Sequence, residues 1–311
     1  MEVINTVLPV FVIIATGALL HRFNFFSADF VKEVNKLVFW VGLPALLFGK
    51  IASAEYNYRL AGETFLVVLA GMFCCIVAAY IVALLFRMPA PKIGAFVQGA
   101  FRGNLYFIGL VLIIYSFADC LPETSAHAEN ITVLVLAFII PVYNIVSVVI
   151  LLIGTQKLDR YVSLRLTKQI IANPLFLACV AGIIYPHIFP PLPLAIDRSL
   201  NAIGQISLPL ALIGIGATLV RRKIAGHSLY AFVATVIKIV VAPLVGIVVA
   251  SWLNLGEYET KIAVLLLACP TAATSYVMAE QLGADERLSA AVVVLSTVLS
   301  IFSLSIVVLL F

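Results

Sequence analysis

"KIGAFVQGAFRGNLYFIGLVLIIYSF" (residues 92–117) is apolar enough for membrane hydrocarbon, yet it carries Arg102, Gly103 and Asn104 near its middle. Arg102 follows Lys92 by ten residues, which at a rise of about 1.5 Å per residue sets it about 15 Å into a span. That is halfway through a hydrocarbon core about 30 Å thick. A second stretch, "KIAVLLLACPTAATSYVMAEQLGAD" (261–285), places Pro270 nine residues after Lys261, at about 14 Å. Proline removes a backbone donor and clashes with the preceding turn. Gly103 weakens helix at the matching depth of the first stretch. Backbone freed there must bond to protein or line a watery cavity.

The rest of the chain sets the context. Of its 311 residues 63% are hydrophobic and 11% charged, against about 25% charged in ordinary soluble domains. Mean hydropathy is +1.16. Such a chain cannot dress a water-facing surface, so it reads as an all-α polytopic membrane protein. The N-terminal stretch lacks a basic n-region and a small-residue cleavage site, and is read as the first spanning helix. The net charge of +4 comes from residues in short loops, so no nucleic-acid partner is expected. The five cysteines show no C-x-x-C or His/Cys spacing, so no metal or cofactor is expected, and they read as small buried hydrophobes. No H-E-x-x-H, no G-x-S-x-G and no intramembrane carboxylate pair point to an enzyme.

Windows of about 19 residues give ten spans, near 3–21, 35–52, 62–86, 92–117, 131–154, 168–188, 199–220, 228–253, 261–283 and 288–311. One set of loops holds Arg22, Lys32, Lys36, Arg87, Lys92, Lys157, Arg160, Arg165, Lys168, Arg221, Arg222, Lys223 and Arg287. The opposite side holds only Lys50, Arg59, Arg198 and Lys261. Lys and Arg accumulate in cytoplasmic loops, so both termini are expected on the non-cytoplasmic side.

Shifted by 165 residues, the chain partly matches itself. "PVFVIIATG" (9–17) falls on "PLFLACVAG" (174–182), and "LPALLFG" (43–49) on "LPLALIG" (208–214). With a small insertion, Lys92 meets Lys261. The chain thus divides into five-span repeats, 1–154 and 168–311. An odd span number makes the second enter from the opposite side, the inverted repeat of many secondary transporters. Pro44 and Pro209, at equivalent places, are expected to kink their helices.

The fourth span of each repeat carries the helix breaker, and paired interrupted helices mark a transporter's binding site. Arg102, Gly103, Asn104, Pro270, Thr271, Thr274 and Ser275 are the expected substrate-binding residues. Lys238, in "FVATVIKIVVAPLVG", reaches a similar depth in the eighth span. All fifteen Asp and Glu fall near span ends or in loops, so the midplane holds two cations and no carboxylate. A mid-membrane cation costs at least about 2.5–3.5 kcal/mol, which an anionic substrate held by Arg102 would offset. Alternatively, Arg102 caps carbonyls exposed at the break, or reaches into the cavity. Lys238 is either a structural counter-charge to a half-helix C-terminus or a proton-coupling group. Asn144 reads as an interhelical hydrogen bond.

"VNKLVFWVGLPALLF" (34–48), "RGNLYFIGL" (102–110), "IKIVVAPL" (237–244) and "ACPTAATSYVMAEQLGAD" (268–285) together resemble the auxin efflux carrier family, across all ten spans. The resemblance implies a fold similar to bile acid symporters and sodium/proton antiporters. It also implies a scaffold domain (1–60 and 168–222), a transport domain (61–154 and 228–311), elevator-type alternating access, a homodimer, and a place in the bacterial inner membrane. The implied cargo is a small organic anion, malonate- or malate-like or auxin-like. In the plant exporters the first crossover is similar to "PNTLVMGIP"; Asn104 matches its asparagine, Gly103 stands at its proline, and Pro270 matches the second crossover proline. An anion channel on the same frame and a sodium-coupled symporter are the competing readings.

Overall fold

The computed structural model describes residues 2–53, 58–155, 174–220 and 228–311. Seven loop cations (Lys157, Arg160, Arg165, Lys168, Arg221, Arg222 and Lys223) lie outside the described residues, as does the expected start of the second repeat at 168.

The helices are α1 (Glu2–Arg22), α2 (Ala28–Leu37), α3 (Leu43–Ser53), α4 (Tyr58–Leu85), α5 (Ala90–Phe101), α6 (Leu110–Ser116) and α7 (Pro122–Thr155). They continue with α8 (Pro174–Ile188), α9 (Leu194–Val220), α10 (Ser228–Val236), α11 (Ala242–Trp252), α12 (Glu257–Ala268), α13 (Ser275–Gln281) and α14 (Glu286–Leu310). Three π-helical turns, Val38–Gly42, Leu105–Gly109 and Ile237–Val241, join α2 to α3, lead into α6, and join α10 to α11. Among the described residues, seven helical stretches are long and apolar enough to cross a membrane. This is an all-helical, multi-pass membrane protein. Pro174–Ile188 is a shorter apolar helix, and the expected spans 92–117 and 261–283 are each divided into two helical pieces.

Side chains sort as a lipid-facing helix requires. On α4, Phe73, Val77, Ile81 and Leu84 form an exposed apolar stripe, whereas Val68, Met72, Cys75 and Ala79 are buried against neighbouring helices. Left-handed residues close four helices: Asn24 after α1, Arg87 after α4, Asn254 after α11 and Gly283 after α13. Ser27 caps α2 by accepting from the Phe30 amide, and Asp285 caps α14 by accepting from that of Leu288.

Two π turns end two residues before a proline, at Gly42 before Pro44 and at Val241 before Pro243. A proline ring presses on the carbonyl four residues back, and a wider turn ahead of it relieves that contact. Pro209 differs in having no π turn before it: it lies inside α9, which is α-helical on both sides of it. The loss there is a single local hydrogen bond, which a helix packed on both sides can absorb.

Helices α1 and α9 touch backbone to backbone. A Cβ built on Gly17 would stand 2.2 Å from the Ile213 carbonyl oxygen, and one on Gly216 1.9 Å from that of Ile14. No side chain fits there without driving the helices apart. Overpacking of this kind costs about 1–3 kcal/mol. Gly17→Val should therefore lower the melting temperature of the detergent-solubilised protein by about 2–6 °C. An unchanged melt would mean that the contact is not close.

Candidate functional site

The site forms where two helices fail together. Helix α5 stops at Phe101, and helical geometry resumes only at Leu105; α12 stops at Ala268, and α13 starts at Ser275. Between them the two unwound segments cross, with Gly103 and Thr271 paired as an antiparallel bridge. The Asn104 N–H donates to the Pro270 carbonyl at 2.8 Å, and the Ala272 N–H donates to the Arg102 carbonyl at 2.9 Å. Each segment supplies what the other lost, as backbone unwound at membrane depth requires.

The ends of the half-helices are capped from across the crossing. Thr271 Oγ1 donates to the Gly99 carbonyl of α5 at 2.7 Å, and Ser296 Oγ of α14 accepts from the Thr271 amide at 3.0 Å. Lys238 Nζ donates to the Leu267 carbonyl in the last turn of α12. Lys238 is wholly buried, and its Nζ lies 3.4 Å from where a Cβ on Gly103 would stand. The ammonium thus sits behind the bridge, beside the negative end of a half-helix dipole.

Arg102 points elsewhere. It is 8% exposed; its Nη2 donates to Asn144 Oδ1 of α7 at 2.8 Å, and its Nη1 to the Met278 thioether of α13. Among the described residues its guanidinium makes side-chain contacts alone, to Asn144 and Met278. Among the described residues no carboxylate lies within ion-pair distance of Arg102 or Lys238.

A cavity of about 220 Å³ opens at this point, lined by Arg102, Gly103, Asn104, Tyr143, Asn144 and Thr274 among others. A second, of about 330 Å³, shares Phe39, Phe107 and Thr274 with the first and extends to Asn35 and Lys36. Residues at the starts of the resumed helices, Leu105 to Phe107 and Tyr276 to Val277, line these spaces.

Four of the residues expected from sequence, Arg102, Gly103, Asn104 and Thr274, line the first cavity. Pro270 and Thr271 do not, because the Pro270 carbonyl and the Thr271 hydroxyl are engaged in holding the crossing. Ser275 is buried, and its Oγ has no partner among the described residues. Asn144 makes the interhelical bond expected of it, to Arg102, and also lines the cavity. Tyr143, Phe39 and Met278 went unread. The available signal was the polar pair in "IIPVYNIV" (139–146), two residues past Pro141 in an otherwise apolar helix.

A multi-pass helical protein whose broken helices cradle a buried guanidinium beside a cavity has the build of a membrane transporter. The chain belongs to the family described as "Membrane transport protein", whose pattern matches residues 2–308; this is the auxin efflux carrier family that the motifs resemble. It is 27% identical over 312 residues to a protein of Rhizobium meliloti (strain 1021) named "Putative malonate transporter", covering 96% of this chain and 93% of that one. It is 25% identical over 290 residues to "Uncharacterized transporter YfdV" of Escherichia coli (strain K12), covering 91% and 90%. "Uncharacterized transporter MJ1031" of Methanocaldococcus jannaschii is 19% identical over 312 residues, covering 96% and 95%.

The caps at the crossing can be tested. Thr271→Val keeps the side-chain volume and deletes the hydroxyl that satisfies the Gly99 carbonyl, leaving a buried acceptor without its donor at a cost of about 1–3 kcal/mol. A lower melting temperature than that of the parent is expected; an equal one would show that this bond does not hold the half-helix end.

Proposed function

We propose that this protein is a secondary carrier of small organic anions, with malonate-like dicarboxylates its leading class of substrate. The observation that carries the reading is the Arg102 guanidinium: more than nine-tenths buried, without a carboxylate partner among the described residues, and facing the cavity at the crossing. A visiting carboxylate would supply the missing charge, with Asn104, Asn144 and Thr274 to orient it. The name of the Rhizobium relative agrees with that cargo. Lys238 already places a fixed positive charge beside the bridge, which weighs against a sodium ion there.

The mechanism proposed is alternating access between two inverted five-helix repeats, ten spans in all, with the scaffold and transport domains divided as the family resemblance implies. Close contacts that recur at the sequence offset of 165 support it. Gly17 approaches Ile213, and its counterpart Gly182 approaches Phe48. Gly214 abuts Asn35, and Gly49 abuts Leu200. Gly42 meets its own counterpart, Ser207, as a pair on a two-fold axis would. At the crossing the offset is 168, and the same exchange turns Asn104-to-Pro270 into Ala272-to-Arg102.

The cavities follow that relation as well. A third cavity, of about 200 Å³, is lined by Leu46 and Lys50 of α3 and Asn201 of α9 among others. Their counterparts Ala211, Ile215 and Lys36 line the second cavity. Two vestibules related by the repeat, one at each end, are what a carrier that exposes its site alternately needs. The Lys50–Glu129 ion pair links the proposed domains at the third cavity. By the loop charges, the Lys36 end faces the cytoplasm across a bacterial inner membrane, and both termini face away.

Radiolabelled malonate uptake into proteoliposomes tests the site. Arg102→Ala and Asn104→Ala should each reduce uptake, the former by at least about tenfold, since hydrogen bonds to a charged partner are worth about 1.5–3 kcal/mol. Full activity in both would defeat the assignment. Motion is tested separately: cysteines at 50 and 129, once cross-linked, should stop transport, and reduction should restore it. Undiminished flux in the cross-linked protein would exclude relative movement there.

A further inference from the structure

Arg102 and its neighbour one turn earlier on α5, Gln98, direct N–H groups at one sulfur. Arg102 Nη1 donates to Met278 Sδ, and Gln98 Nε2 lies 3.9 Å from the same atom. Gln98 is wholly buried, and its Oε1 has no partner among the described residues. A thioether is a weak acceptor, so of the two terminal nitrogens Nη2 is well satisfied by Asn144 Oδ1, whereas Nη1 has only sulfur as its partner among the described residues. Met278 itself is half-buried. Its side chain is unbranched, with three rotatable bonds, and can withdraw at small cost.

We propose that Met278 is a specificity-determining placeholder: its sulfur holds the Nη1 edge of Arg102 in the empty carrier and yields that edge when a ligand carboxylate arrives. This rests on the anion-carrier reading above. The residue at 278 then sets substrate affinity through the stability of the unliganded arrangement, without touching the ligand. A stronger acceptor competes with the substrate for the fork, and a side chain with no acceptor releases it. The softness of sulfur is the property that matters, because the carrier must both bind the anion and let it go.

Two near-isosteric substitutions separate this from mere packing. In malonate titrations of purified protein, Met278→Leu should lower Kd about two- to fivefold, whereas Met278→Gln should raise it about fivefold or more. A packing role moves both in the same direction. A second measurement needs no ligand: the rate at which phenylglyoxal modifies Arg102, read by mass spectrometry of its peptide, should rise in Met278→Leu and fall in Met278→Gln. If the parent binds no dicarboxylate but the modification rates still order this way, the carrier reading fails and the holding contact stands. If the modification rates match the parent in both variants, or the two affinities shift together, the placeholder role is overturned.

Discussion

Two backbone hydrogen bonds, Asn104 to Pro270 and Ala272 to Arg102, are the constraint on which the rest of the molecule depends. Unwound backbone in hydrocarbon costs several kcal/mol for each unsatisfied group. Neither interrupted helix could stay broken alone. Crossing them lets each fill the other's vacancies, and the pairing fixes where both breaks lie. Once they are fixed, the half-helix termini converge on one point, and their dipoles create the electrostatics of the cavity. The carbonyl ends are met by Thr271 and Lys238, while residues at the starts of the resumed helices line the cavities.

The surrounding helices serve that crossing by coming unusually close. Glycines at 17 and 216 let α1 approach α9 with no intervening side chain, and Gly182 of α8 makes room for the Ile51 side chain of α3. Lipid offers no hydrophobic drive between helices, so such close van der Waals contact is a main source of cohesion. On the proposed division, these contacts fall within the scaffold. The proposed alternating-access mechanism would use that scaffold as the fixed part.

Much of this was legible in the residues. The depth of Arg102 and Pro270 could be counted from Lys92 and Lys261, because helical rise is constant and the membrane core has a nearly fixed thickness. The absence of midplane carboxylates was equally plain. What Arg102 does with its donors was not legible: Asn144 lies 42 positions away and Met278 176. Nor could the sequence separate Thr271, engaged as a cap, from Thr274, free to line the cavity, since both are hydroxyls one helical turn apart beside a break.

By itself, then, the sequence determined the class, the breaks and the charge at their centre, for these follow from hydropathy, proline and glycine chemistry, and spacing along a helix. Only the tertiary structure decided which groups meet. It joined Gly103 to Thr271, turned Lys238 to a half-helix end and Arg102 towards the cavity, and kept α9 helical on both sides of Pro209. The reason is physical: partners for freed backbone and buried charge are chosen by proximity in space, which local pattern does not encode.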